Sequence, residues 1–106
     1  MDSVHHIAVE CDDVRRTVQW YLEMFNCSVE HLDDTWAMLK FKNIKIAFVT
    51  KGSHPPHIGF VVHDDIVLDA KRHRDGTESQ YVDDPSGNTV ELIKKSSIGL
   101  HPHRLS

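Results

Sequence analysis

The sequence predicts an α+β fold. It reads as two pseudo-symmetric βαβββ-type half-barrels, the second shortened, forming a curved mixed sheet with helices on the outer face. Three observations predict this. Apolar and polar residues alternate through a series of short stretches, the period-two signature of strands. One longer stretch, "VRRTVQWYLEMF", is apolar instead at the helical period. The start of the chain also recurs near its middle. "HHIAVECDD" and "PHIGFVVHDD" both pass from His-Ile and a small residue, through a valine, to an acidic helix start at Asp-Asp. A repeat of about 50 residues occurring twice is too long and too few-fold for a solenoid, so each copy is a β-α-β unit with further strands.

The elements follow in order. "VHHIAVEC" has Ile7 and Val9 on one face and His6, Ala8 and Glu10 on the other, a strand with one apolar face. Asp12 or Asp13 can cap the helix that follows, in which Val14, Val18, Tyr21, Leu22 and Phe25 form the apolar stripe. Asn26 is suited to a left-handed helix end. "CSVEHLDD", "TWAMLKF" and "IKIAFV" complete the first half as three strands. "TKGSHPPH" is the linker, marked by Gly52 and two prolines. The second half reads as the strand "HIGFVV", a shorter helix over "DDIVLDAKRH", the strand "ESQYV", a turn at 83–88 and the strand "TVELI". The domain spans 1–96, with halves at about 1–50 and 56–96, and 97–106 is a tail without clear pattern.

Composition narrows the function classes. The 106 residues suit one small domain, and 40% hydrophobic residues suffice for a two-layer core. Sixteen acidic against twelve basic residues leave a formal charge of −4, which argues against nucleic acid or an anionic membrane as partner. Cys11 and Cys27 are too few for a disulfide framework and suit a reduced, cytoplasmic setting. There is no signal-like leader and no apolar run of the roughly 18 residues that span a bilayer.

Nine histidines are the compositional oddity. Backbone alternation sends the neighbours His5 and His6 to opposite faces but does not choose between them. The repeat does, because it sets His6 and His57 at equivalent positions and leaves His5 opposite Pro56. Both chosen histidines start a strand and share a face with a small residue, Ala8 or Gly59. In "TVELI", Glu91 falls on the face opposite Val90 and Leu92. Two imidazoles and a carboxylate on three strands are the donor set of a facial metal site with open positions. A lone strand histidine is more often a surface or packed residue, so the equivalence of two carries the weight. His5, His31, His54, His63 and His73 read as non-ligands.

These stretches carry a resemblance. "HHIAVECDD", "WYLEMFNCSV", "PHIGFVVHD" and above all "DPSGNTVELI" resemble the vicinal oxygen chelate superfamily of glyoxalases, bleomycin-resistance proteins and extradiol dioxygenases, over about residues 4–93. The resemblance implies metal ligands on the first and last strands of each half, hence His6, His57 and Glu91. The fourth such position falls at Ala47, which cannot bind a metal, leaving three protein ligands as in the dioxygenase-like and fosfomycin-resistance-like branches. It implies a divalent ion (Fe, Mn, Zn or Ni) and a small oxygenated substrate that chelates it through two oxygens, in lyase, isomerase or dioxygenase chemistry. It also implies a homodimer, in some members with strands exchanged between chains.

Other residues on the ligand face are Glu10 as a general base and Tyr81 as a hydrogen-bond donor to substrate. Trp36, Met38 and Lys45 are candidates to contact substrate, with Lys40 beside them. Each has a plainer reading, as a solvated or packing residue. The second half departs from the family: "RDGTESQYVD" leaves too little chain for two strands and a loop, so one strand is expected to be missing. The groups that surround the phosphonate in fosfomycin-resistance proteins are missing with it. The alternative function is a metal-free protein of the bleomycin-resistance kind, binding a small molecule in an open groove. The shortened half suits that reading, and the retained ligand set argues against it.

Overall fold

Asp13 separates the first two elements. Strand β1 (Ser3–Cys11) ends ahead of it and helix α1 (Val14–Met24) begins after it. Its backbone is extended, and its Oδ1 accepts from the Arg16 amide at 3.1 Å. That bond satisfies one of the amides the first helical turn leaves without a partner. The structure is a computed structural model that describes residues 1–98. It divides into two compact units: His5–Ile58, and Met1–Val4 together with the chain from Gly59 onward.

In the unit His5–Ile58, β1 and α1 are followed by β2 (Ser28–Leu32), β3 (Trp36–Lys40) and β4 (Lys45–Thr50). The strands lie in the order β2-β3-β4-β1, with β1 and β4 parallel and the other pairs antiparallel. Helix α1 packs Val14 and Val18 against Cys11, Ala37, Leu39 and Phe48, all buried. Phe48 is 1% exposed, and its ring centroid lies 4.6 Å from that of Tyr21. Both cysteines are free, and burial pushes the Cys11 thiol up, away from reactive thiolate.

The helix does not end as the sequence suggests. No described non-glycine residue has positive φ, so Asn26 is not a left-handed terminator. Phe25 is extended instead, and its amide donates to the Tyr21 carbonyl at 2.9 Å. That step brings the Phe25 ring to centroid distances of 5.9 Å from Tyr21 and 6.1 Å from Phe41. Aromatic packing takes the place of the left-handed cap.

The face of this unit opposite α1 is set by register. His6 pairs with Lys45, Ala8 with Ala47 and Glu10 with Val49 across β1 and β4. Across β3 and β4, Met38 pairs with Ala47 and Trp36 with Val49. Directly paired residues share a face, so these side chains lie on one side and the α1 core on the other.

Strand β5 (His57–Val62) begins in this unit and continues into the other. There it is followed by β6 (Lys71–Arg72), β7 (Glu78–Asp83) and β8 (Thr89–Lys94), in the spatial order β5-β8-β7-β6. Two expectations are corrected. The helix expected over "DDIVLDAKRH" is only a 3-10 turn at Asp64–Ile66, so α1 is the only α-helix among the described residues. Its apolar residues are consecutive and lack helical spacing; Val67 is buried, while Ile66 is 51% and Leu68 86% exposed. The Leu68 and Asp69 amides donate to the Gln80 side-chain carbonyl at 3.1 and 3.2 Å, bonds that stand in for helical ones. The strand expected to be missing is present as β6, two residues long and paired with β7 through Lys71–Ser79 and Arg72–Glu78.

The "DPSGN" stretch is the turn between β7 and β8. Asp84 Oδ1 accepts from the Ser86 and Asn88 amides at 2.9 Å each, and Oδ2 accepts from Asn88 Nδ2 at 2.9 Å. These bonds hold the Asp84 carboxyl below its usual range, Asn88 contributing most. Gly87 takes φ +85, which a residue with Cβ adopts only under strain. After β8, Ser97 is 1% exposed; its hydroxyl donates to the Lys94 carbonyl at 2.7 Å and accepts from the Glu78 amide at 3.0 Å. No described helix is long and apolar enough to cross a membrane.

Candidate metal centre

Two of the three expected ligands meet within one unit. His6 and His57 are 7% and 8% exposed, and their Nε2 atoms are 3.0 Å apart. Their rings stand edge to face, 5.1 Å between centroids. The neighbouring small residues make room: Ala8 and Gly59 are buried beside them. A strand holds each imidazole, as a ligand site needs: His6 is the fourth residue of β1, not its start as the sequence suggested, and His57 is the first of β5.

The tautomers follow from the other ring nitrogens. His57 Nδ1 lies 2.9 Å from the Pro55 carbonyl. A carbonyl only accepts, so His57 Nδ1 carries the hydrogen and Nε2 the lone pair. His6 Nδ1 lies 2.8 Å from His5 Nδ1. With His57 Nε2 accepting, His6 Nε2–H donates to it, and His6 Nδ1 accepts from His5 Nδ1–H. His5 is therefore not a bystander on the opposite face, as alternation suggested. Its Cβ points away, but its ring swings back to touch the ring of His6.

Glu91 belongs to the other unit and is 6% exposed. It pairs directly with Tyr81 across β7 and β8, and Ser79 is its diagonal neighbour on the same face. The Ser79 hydroxyl donates to Glu91 Oε2 at 2.6 Å, and His73 Nε2 lies 2.6 Å from Ser79 Oγ. Burial first, and then the charge of Glu91, push the Tyr81 phenol up to about 12, although 42% of the residue is exposed. It is thus a protonated donor at any working pH.

The remaining candidates are spread along their strands. Lys45 is the direct neighbour of His6 and makes a half-buried ion pair with Glu30 at 2.9 Å. Glu10 is exposed and four residues beyond His6, roughly 13 Å along the strand. The structure does not bring it to the histidine pair; it borders an open cleft of about 500 Å³ with Asp12, Asp13, Arg16 and Trp20. Trp36 lies at the same end of the face and stacks on His31, ring centroids 3.8 Å apart. Met38 sits between, beside Ala47, the position whose alanine removes a fourth ligand.

The donor chemistry fits a divalent metal. His6, His57 and Glu91 are buried and offer nitrogen or oxygen atoms of the kind such ions take. Two cis ligands at about 2.1 Å from an octahedral ion are roughly 3.0 Å apart, the separation of the two Nε2 atoms. His57 already has the tautomer that binds through Nε2, and its Pro55 partner is the second contact that commonly orients a metal-bound imidazole. Ser79, His73 and His5 were not found as functional residues from the sequence. Ser79 and His73 lie outside any recognisable pattern: strand register brings Ser79 to Glu91, and the turn after β6 brings His73 to Ser79.

No protein-family model matches the chain, and no curated protein sequence does. Solved structures do. A glyoxalase/bleomycin resistance protein/dioxygenase superfamily member from Vibrio splendidus 12B01 matches with TM-score 0.67 at 12% identity, over 89% of this chain and 99% of that one. A methylmalonyl-CoA epimerase in complex with methylmalonyl-CoA and NH4+ matches with TM-score 0.67 at 19% identity, over 95% of this chain and 98% of that one. A hypothetical protein from Staphylococcus aureus matches with TM-score 0.63 at 12% identity over 88% of this chain, which spans only 33% of that protein. Identities this low establish shared architecture.

Proposed function

We propose that this chain, which has the vicinal oxygen chelate fold, is a metal-dependent enzyme acting on a small oxygenated molecule. His6, His57 and Glu91 are its metal ligands. The observation that carries the reading is the buried Nε2–Nε2 approach of His6 and His57 at 3.0 Å. That separation is also the one two cis ligands of a single ion would have once the hydrogen shared by the two atoms has left.

The ion would supply Lewis acidity to two adjacent oxygens of the substrate, in lyase, isomerase or dioxygenase chemistry. The chain's residues do the rest. His57 is fixed by the Pro55 carbonyl and His6 by His5, so both rings are oriented before anything binds. Lys45, next to His6, places positive charge for a substrate oxyanion, which must compete with Glu30 for it. Tyr81, next to Glu91, donates a hydrogen bond to a substrate oxygen. Trp36 and Met38 continue the same face as Lys45 and supply apolar contact to the remainder of the substrate. A methylmalonyl-CoA epimerase among the structural matches supports acyl or carbonyl compounds as the first substrates to try.

The test is elemental analysis of protein purified without chelator. About one Fe, Mn, Zn or Ni per chain is expected, with loss in His57→Ala and Glu91→Gln. Sub-stoichiometric metal that His57→Ala leaves unchanged refutes the reading. One observation favours the alternative of metal-free small-molecule binding: no buried side-chain nitrogen or oxygen among the described residues lacks a hydrogen-bond partner. Thermal stabilisation by an aromatic ligand that is indifferent to EDTA would select it. Light scattering tests the homodimer expected from the sequence.

A further inference from the structure

We propose that Ser79, backed by His73, is a positioning residue that holds the Glu91 carboxylate in place for the metal. Its hold is on Glu91 Oε2. The inference rests on the metal-site reading above and concerns contacts inside the unit that contains Glu91.

The hydrogen-bond directions are fixed by counting protons. Serine has a single hydroxyl hydrogen. Ser79 spends it on Glu91 Oε2 at 2.6 Å. Its oxygen can then only accept from His73 Nε2, also at 2.6 Å, so His73 carries its hydrogen on Nε2. His73 Nε2 is 3.7 Å from Glu91 Oε2, too long for a hydrogen bond; it acts through the serine. The receiving hydroxyl is polarised by the imidazole, which strengthens its bond to the carboxylate.

The scaffold holds this chain of groups still. Ser79 is 2% exposed and on the same face of β7 as Tyr81, beside Glu91 on β8. His73 leaves β6 through a tight turn: its amide donates to the Thr77 carbonyl at 2.8 Å and its carbonyl accepts from the Gly76 amide at 3.0 Å. Thr77 is fixed in turn through its amide and hydroxyl to Asp75 Oδ1, at 3.0 and 2.7 Å. Strand β6 is only two residues long, and the turn that follows it brings His73 Nε2 to Ser79 Oγ. A carboxylate anchored by a fixed hydroxyl loses less freedom when it takes up an ion, which is how such supporting contacts raise metal affinity.

The experiment is a Co(II) titration read by visible absorption, with Zn(II) calorimetry alongside, on the wild type, His57→Ala, Ser79→Ala, Ser79→Thr and His73→Ala. Ser79→Ala is expected to bind about 10- to 100-fold more weakly, the usual range for losing such a supporting contact. Its Co(II) bands should shift as the carboxylate loses its anchor. Ser79→Thr keeps the hydroxyl and should restore affinity to within about threefold and the wild-type bands; a weaker effect of His73→Ala in the direction of Ser79→Ala is expected. Wild-type affinity and an unchanged spectrum in Ser79→Ala overturn the inference. If Ser79→Ala does not fold, His73→Ala decides by the same criterion, since that side chain is only part-buried. The two readings fail separately. A wild type without metal, or a His57→Ala variant that binds normally, removes the metal site and this inference with it. Metal binding that depends on His57 but ignores Ser79 removes only this inference.

Discussion

Replacing Phe48 by alanine tests the two-sided organisation on which the site depends. Phe48 is 1% exposed on β4, packed on Tyr21 with ring centroids 4.6 Å apart, and its neighbour Ala47 faces the other way, beside Ala8. The variant removes a buried ring from the face under α1 and nothing from the face of His6. A buried Phe→Ala change costs about 3–5 kcal/mol, from lost transfer and from the cavity left behind. The aromatic contact to Tyr21 places Phe48 toward the upper part of that range. A domain of this size has only about 5–15 kcal/mol of stability, so much of it goes. With a urea slope of about 1–3 kcal/mol/M, the midpoint should fall by roughly 2 M at constant slope. Circular dichroism measures this, and Co(II) affinity of the folded variant at low temperature should match the wild type. A stability loss below about 1 kcal/mol would refute the packing of α1 on β4. A large fall in metal affinity would refute the separation of faces.

Three further outcomes are expected. Gly87→Ala should destabilise by about 1 kcal/mol through its left-handed backbone alone, since an added Cβ meets nothing within 4 Å, and Gly87→Asn by less; thermal melting checks both. His5→Ala should weaken metal binding about 10-fold by freeing the His6 ring, and calorimetry showing equal affinity would contradict the His5–His6 contact. Tyr81 should titrate near 12 by ultraviolet absorption. Because its phenol is raised above the unfolded value, its contribution to stability is complete below about pH 10 and is lost as the pH rises toward 12, so Tyr81→Phe should flatten that decline.

Much of this molecule is legible in its sequence because period and repetition are strong signals. The alternating faces of β1, β3, β4 and β8 follow directly from residue type, and so do Val14 and Val18 of the α1 stripe, whereas Leu22 and Phe25 of that stripe stay exposed. The equivalence of His6 and His57 follows from the repeat and agrees with their meeting in space. The second helix was misread because "DDIVLDAKRH" has the composition of a helix without its spacing, and a side chain distant in sequence, Gln80, took over its amides. The contact of His5 with His6 was not legible, because alternation fixes the direction of Cβ and says nothing about where a ring two torsions further out will settle. Ser79 gave no signal at all: a serine in a strand is ordinary until a carboxylate and an imidazole are placed on either side of it.

Ser97 gives the last strand a fastening that can be timed. The Glu78 amide, the first of β7, bonds to a side-chain hydroxyl from beyond β8. Ser96 closes the same seam by donating its amide, at 3.1 Å, and its hydroxyl to the Asp64 carboxylate. Hydrogen exchange at that single amide is therefore a clock for the seating of the segment that follows β8. A chain cut after Lys95 would keep every strand and every proposed ligand, yet the clock would run fast, and the strands that carry Ser79 and Glu91 would loosen from their outer end.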